Sequence, residues 1–441
     1  MLTRCSAERL PTGGRHVLDL RFIRENAAAV QENCKNRGVE ADVGLVVELA
    51  DRRSALIGEL NGLKQRQNQL AKSIGGERHP GARDRLIGES RAMKDRIPER
   101  EAELAEVEGR LREELLKIPN MTHPDAPIGK DDSDNVEIRR WGEIPDLGFD
   151  VRDHVELGET LGIIDFDAGA KVAGSKFYFL RGDAVLLELG LVRYALDILL
   201  EHGYQPTITP DLARDEALVG TGFIPRGPET QIYSVEDSDL SLVATAEITL
   251  AGSLADEILA DDQLPIRLAG LSHCFRTEAG SHGRASRGLY RVHQFTKVEM
   301  FAFTTPEQSE GMHSEMLEIE EHIFQGLGLP YRVVDICTGD LGGAAYRKYD
   351  LEAWMPGRDA FGEVTSTSNT TDYQARRLRI RYRMAEPGGR PQLLHTLNGT
   401  ALAISRALIA LLEVYQQEDG TILLPDILVP YVGKEKMLPS S

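Results

Sequence analysis

Cysteine is scarce in this 441-residue sequence: Cys5, Cys34, Cys274 and Cys337 are the only four, and they are widely scattered. No CxxC pair and no Cys/His ligand spacing occurs, so neither a zinc site nor a disulfide scaffold is expected, and a reducing interior fits best. No apolar run approaches the roughly 20 residues needed to span a bilayer; the best stretch, 184–200, is interrupted by Glu188, Arg193 and Asp197. The first sixteen residues lack the apolar centre of a signal peptide. No GxxxxGK[ST] loop exists, nor a convincing GxGxxG after a strand, so a nucleotide site would need another design. Low-complexity tracts are also missing.

With 41% hydrophobic and 27% charged residues, collagen-like, mucin-like and wholly disordered chains are excluded. The length exceeds one ordinary core and predicts two or more units. A net charge of -19 argues by itself against a polyanion binder. The charge is uneven, however: residues 51–100 hold 12 Lys+Arg and 7 Asp+Glu, a local +5, which leaves -24 for the rest. Phosphate neutralisation is local over about a Debye length, ~8–10 Å, so a basic segment on an acidic chain can still bind nucleic acid.

Residues 43–117 are nearly free of strand signals. Leu49, Leu56, Leu63 and Leu70 recur every seven residues, with Val46, Leu60 and Ile74 at three alternate seam positions and Arg53 and Gln67 at the others. This is a heptad stripe with a partly polar seam. Gly75, Gly76, Pro80 and Gly81 break it. A second stripe follows at Leu86, Met93, Ile97, Leu104, Val107 and Leu111, with Pro98 inside it, where a kink or a lost hydrogen bond is expected. The pattern predicts an antiparallel helical hairpin with arms of about 45 Å at ~1.5 Å per residue. Two helices of an ordinary bundle would show the same stripes, but too few neighbouring helices follow to cover their other faces. Residues 119–135 read as a linker. Beyond Trp141, 186–200 reads as an amphipathic helix, and 268–274, 290–303, 331–337 and 361–366 read as strands. Without regular βαβ alternation, these predict an α+β domain on a mostly antiparallel sheet. Cys274 and Cys337 are expected to be buried strand residues.

The chemistry concentrates in Phe275-Arg276-Thr277-Glu278, a Gly-rich polar loop with Arg284 and Arg287, and Tyr290-Arg291-Val292-His293-Gln294-Phe295. Guanidinium forks match phosphate oxygens, so the cluster suits a triphosphate; a solvated basic hairpin would carry the same residues. Phe275 to Glu278 with its loop resembles motif 2 of the class II aminoacyl-tRNA synthetases. From about residue 17 to 436 the chain resembles the bacterial-type seryl-tRNA synthetase family. Leu18 to Asn26, Asp131 to Asn135, Thr245-Ala246-Glu247, Tyr349 to Glu352, Glu363 to Asn369 and Gln374 to Arg377 carry the likeness. Asn398 to Arg406 resembles motif 3, opening a C-terminal helix, with Ala401 and Ser405 where the family commonly has glycine. Gly203 to Pro210 resembles motif 1, which forms the dimer interface in this class.

The resemblance implies a ligase. The carboxylate of L-serine would attack the α-phosphate of ATP, giving seryl-adenylate and pyrophosphate, and the seryl group would pass to the 3′ end of tRNA(Ser), and of tRNA(Sec) as a side activity. By position, Arg276 would bridge the serine carboxylate and the α-phosphate, Glu278 would hold the adenine amine, and Phe295 would stack on the base. Arg291 and Arg406 would reach the distal phosphates, and Thr277, Val292, Val364 and Thr365 complete the expected ATP site. Glu363 and Ser366 would hold Mg2+. Thr245, Ala246, Glu247, Arg276, Glu299, Asn398 and Thr400 form the expected serine pocket, with Glu299 gripping the hydroxyl. Such a pocket rejects alanine by roughly 10⁴-fold or more, whereas threonine must be refused by lack of room.

The hairpin would grip the long variable arm of the tRNA, reaching across a homodimer, with Arg83, Arg85 and Arg91 as contacts. The expected organisation is an extension over 1–16, a tRNA-binding arm over 17–118, a linker over 119–140, a catalytic domain over 141–436 and a tail over 437–441. Either a start near Val17 or a disordered extension before it is expected, together with a cytoplasmic location. Two other readings compete: an enzyme that loads another acceptor, for which a basic arm has no use, and a catalytically dead tRNA-binding paralogue, which has no reason to keep Arg276, Glu278, Arg291, Glu363 and Arg406 together.

Overall fold

The computed structural model describes residues 20–224, 230–279, 288–385 and 389–439. Cys5, Val17, Arg284 and Arg287 lie outside them. The described residues fall into two compact units, 20–121 and 122–439.

The first unit is helical: α1 (Leu20–Glu25), α2 (Ala27–Asn36), α3 (Val43–Gly76) and α4 (Pro80–Lys117). Asp42 caps α3, accepting from Leu45 N–H at 2.9 Å, and Pro80 opens α4, where its missing N–H costs nothing. The heptad residues Leu49, Leu56, Leu60 and Leu70 are buried on α3, and Ile97 and Leu111 on α4, so the two long helices form the expected antiparallel hairpin. Its base packs Ile23, Val30 and Cys34 against Val46 and Leu111. Along the arms, Arg53 pairs with Glu108 at 2.8 Å and Lys64 with Glu101 at 2.7 Å. The expected break is shorter than its sequence signals: α3 runs through Gly75 and Gly76, and α4 runs uninterrupted through Pro98. Arg83, Arg85 and Arg91 are exposed and form no ion pair among the described residues.

The second unit is built on an eight-stranded sheet: β1 (Val136–Trp141), β2 (Gln205–Ile208), β3 (Ile266–Phe275), β4 (Gln294–Thr304), β5 (Tyr331–Asp335), β6 (Arg347–Met355), β7 (Ala360–Thr371) and β8 (His395–Ala403). The spatial order is β1-β5-β6-β7-β8-β4-β3-β2. Every pairing is antiparallel except β2 with β3. The helices that matter here are α5 (His154–Leu161), α6 (Asp183–Glu201), α7 (Ala246–Gly252), α8 (Ser309–Gly326), α9 (Tyr373–Leu378) and α10 (Ile404–Val414).

Alternation along β4 separates the sheet's faces. Val298, Met300 and Ala302 join a core with Leu191 of α6, Ile319 of α8 and Leu408 of α10. Phe301 and Phe303 face the short helices α7 and α9, against Ala246, Leu250 and Ala375. Lys297 and Glu299 share the Phe301 face by the same period of two, beyond the reach of that apolar patch.

Four expectations are corrected. Residues 136–140, read as linker, belong to the edge strand β1. The preceding segment is docked on the second unit, with His123 N–H donating to Tyr346 O at 2.9 Å and Thr338 N–H to Pro127 O at 2.8 Å. Residues 290–293 precede β4; Gly288–Tyr290 is a 3-10 turn. Cys337 is buried but lies past the end of β5, its thiol donating to Asp131 O at 3.2 Å. Lys436–Met437, partly in the expected tail, pairs with Ile422–Leu423 as a short strand.

Candidate functional site

The polar face of the sheet carries most of the expected residues. Arg276 follows the last residue of β3. Its Nε donates to Ala244 O at 3.5 Å, and its guanidinium lies 5.3 Å from the Phe295 ring centroid. The backbone around it is fixed by Arg276 N–H to His293 O at 2.9 Å. Thr277 donates through its hydroxyl to Thr230 O at 2.6 Å. Glu278 adopts φ +54°, a left-handed conformation costing a non-glycine residue roughly 1–2 kcal/mol. Its carboxylate accepts from Arg291 at 2.8 Å. Val292 is buried.

A second group forms the floor. Thr245 caps α7, accepting from Glu247 N–H at 3.3 Å, and the cap aims Glu247 back at the sheet. Glu247 accepts from Gln374 at 2.6 Å and Asn398 at 2.9 Å. Burial, then the neighbouring Glu299 charge, push its carboxyl up to about 7 against the opposing pull of Gln374, Lys297 and Arg276. Glu299 is buried, ion-paired with Lys297, and accepts from the Thr400 hydroxyl at 3.3 Å. Ala246 is fully buried in the apolar cluster with Leu250 and Phe301.

The third group depends on a bulge. Asp350 opposes Ser366 and Glu352 opposes Glu363, so one residue too many, Val364, stands on β7. Residues three apart on a regular strand face opposite sides; the bulge puts Glu363 and Ser366 on one face, beside Lys348 and Asp350. Glu363 pairs with Arg406 at 3.0 Å, and the same guanidinium donates to Glu363 O at 3.0 Å. Burial alone would raise the Glu363 carboxyl; Arg406, Lys348 and Arg276 outweigh it and hold it at about 2. Burial raises the Asp350 carboxyl even though Lys348 lies 3.0 Å away. Among the described residues no cluster of three His, Cys, Asp or Glu could hold a metal alone. Glu363, its carboxyl held low by Arg406, Lys348 and Arg276, with the Ser366 hydroxyl on the same face, suits a hard cation that takes its remaining oxygens from phosphate and water.

Sequence reasoning missed Lys297 and Lys348, and it gave no site role to Gln374 and Asp350, although the stretches that hold them carry the resemblance. Lys297 is signalled only by its place two residues before Glu299. Val364 and Thr365 are buried behind the bulge. At motif 3, β8 runs through Ala401, which is the extra residue of a second bulge between Thr400 and Leu402. Neither Ala401 nor Ser405 has positive φ, so a side chain at either position is compatible with the backbone.

An antiparallel sheet with an arginine-bearing strand–loop–strand and a strand-to-helix arginine defines a class II aminoacyl-tRNA synthetase core. Residues 232–415 match the tRNA synthetase class II core domain (G, H, P, S and T), and residues 17–122 match the seryl-tRNA synthetase N-terminal domain. The serine–tRNA ligase of Rubrobacter xylanophilus is 74% identical over 424 residues, 96% of this chain and 100% of the relative; that of Treponema denticola is 55% identical over 423 residues, with the same coverage of both chains. Seryl-tRNA synthetase of Pyrococcus horikoshii complexed with ATP superposes with TM-score 0.88 at 42% identity, covering 96% of this chain and 100% of that one. The cytoplasmic serine–tRNA ligase of Naegleria fowleri in complex with AMP gives 0.83 at 33%, covering 97% and 100%. The chain belongs to the seryl-tRNA synthetase family, the class II serine–tRNA ligases. No described helix is long and apolar enough to cross a membrane.

Proposed function

We propose that this chain activates L-serine with ATP to seryl-adenylate and transfers the seryl group to the 3′ end of tRNA(Ser), and also of tRNA(Sec). The supporting observation is the station of Arg276, whose charge acts on both Glu247 and Glu363 and so bridges the floor pocket and the Glu363–Arg406 group. Serine sits against Thr245, Glu247, Glu299, Asn398 and Thr400, with its hydroxyl at Glu299 and its ammonium toward Glu247. Its carboxylate lies at Arg276 and attacks the α-phosphorus; the new O–P bond replaces the bond to pyrophosphate. The terminal ribose hydroxyl of the tRNA then attacks the activated carbonyl, and AMP leaves.

ATP is held by Arg276 at the α-phosphate and by Arg291 and Arg406 at the distal phosphates, with Phe295 under the adenine and Glu278 at its amine. Thr277, Val292, Val364 and Thr365 shape that site. Glu363 and Ser366 would hold Mg2+, which would supply positive charge at the phosphate oxygens. Most of the catalysis is positioning and charge stabilisation, since the serine carboxylate is already ionised.

The arm over 17–118 reads tRNA shape and backbone, and the sheet-bearing unit that follows it is the catalytic domain. The enzyme works in the cytoplasm as a homodimer through the Gly203–Pro210 edge, where Ile208 is 84% exposed, and the arm of one subunit serves the site of the other. The test is ATP–pyrophosphate exchange with serine, threonine and alanine, followed by charging of serine tRNA. Exchange with serine alone, then charging, is expected. Exchange without charging would point to another acceptor, and no exchange would reject the reading.

A further inference from the structure

A buried pair, His154 and Glu413, stands outside every role assigned above. His154 begins α5 and is 4% exposed; Glu413, near the end of α10, has no exposed surface. Glu413 Oε1 accepts the His154 backbone N–H at 3.0 Å and lies 2.8 Å from the ring Nδ1, while Oε2 accepts Gly357 N–H at 2.9 Å. Leu289 N–H donates to Nε2 at 3.0 Å. Nε2 therefore carries the lone pair, and the ring proton sits on Nδ1, aimed at Glu413.

Both ends of this chain of bonds reach Tyr290. Leu289 precedes it. Gly357 precedes Arg358, whose guanidinium lies 4.1 Å from the Tyr290 ring centroid. The Arg406 guanidinium lies 4.8 Å from the same ring. The turn has no slack: Gly288 has φ +80°, and a Cβ there would fall 2.0 Å from His154 Nε2. Replacing such a buried pair by apolar groups is often neutral or stabilising, so stability alone does not explain it.

We propose that His154 and Glu413 are positioning residues for the ATP site: they fix the Gly288–Tyr290 turn and so hold the Tyr290 ring against Arg406. This rests on the role given above to Arg406. The full-length chain is assayed by exchange, with KM measured separately for ATP and for serine. His154→Ala is expected to raise KM for ATP on the order of tenfold, with KM for serine within about twofold. His154→Gln, whose amide oxygen can still accept from Leu289, recovers most of the loss. Combining His154→Ala with Tyr290→Leu is expected to be no worse than the larger single effect, since both act through one contact. An equal rise in both KM values, an unchanged KM for ATP, or an additive double variant would overturn the proposal. Should His154→Ala fail to fold, Glu413→Gln carries the same expected split. Wild-type failure to exchange would overturn the functional reading and this inference together; an active wild type without the split overturns this one alone.

Discussion

Burial decides how Glu247 titrates. Glu247, pushed up to about 7, attracts an ammonium only when ionised. Serine kcat/KM in exchange should therefore rise with pH and level off above about 7, and Glu247→Gln should flatten that limb while lowering the plateau; a wild-type limb that survives the substitution would exclude Glu247 as its source. The same shift costs stability as pH rises from the ordinary carboxylate range toward 7, because the unfolded chain ionises first. Glu247 and Arg276 were legible because each sits in a short motif that carries the family resemblance, as does Asn398, 151 residues from Glu247; Glu299 followed only from its position in the family. Gln374, 127 residues from Glu247, was given no role in the pocket because no local pattern links the two. Lys297 was hidden for another reason: a lysine two residues before a glutamate reads as an exposed pair until both prove buried.

Elements with a long period were easier to read than elements with a local irregularity. The heptads marked α3 and α4 over their length, since apolar residues repeated every seven positions have few other uses. The strands β6 and β8 went unmarked because chemistry-bearing residues such as Lys348, Asp350, Asn398 and Thr400 interrupt their alternation. The bulges at Val364 and Ala401 have no sequence signal at all; each appears only as a change of register between partners. Deleting Val364 should restore regular pairing with Glu363 and Ser366 two apart on one face, but it removes the bend and added twist of the bulge and so shifts Glu363 relative to Ser366 and Arg406. Exchange should then fall by about 10²-fold or more, while near-ultraviolet circular dichroism reports whether the sheet persists. Substituting Val364 by alanine keeps the extra residue and should retain most activity.

Across the whole molecule charge is uneven: residues 51–100 carry a local +5 on a chain of net -19, and 376–390 hold six arginines against one glutamate. Neutralising Arg83, Arg85 and Arg91 together should lower the slope of log affinity for serine tRNA against log salt by about 2 to 3. Serine-dependent exchange should stay near the wild-type rate. An unchanged slope would remove these arginines from the tRNA interface. The division into two units was legible from the change of periodicity near residue 118, but not the attachment of 122–135 to the catalytic unit, which rests on backbone bonds to Tyr346, Thr338 and Gly339. The two compact units also make intragenic complementation possible. A chain disabled in its arm and a chain disabled at Arg276 should each be inert in charging. On the proposed homodimer, mixing them would give dimers in which the sound arm of one chain can serve the sound site of the other. Recovered charging by the mixture would establish service across the dimer, whereas arms that serve only their own chain would leave it silent.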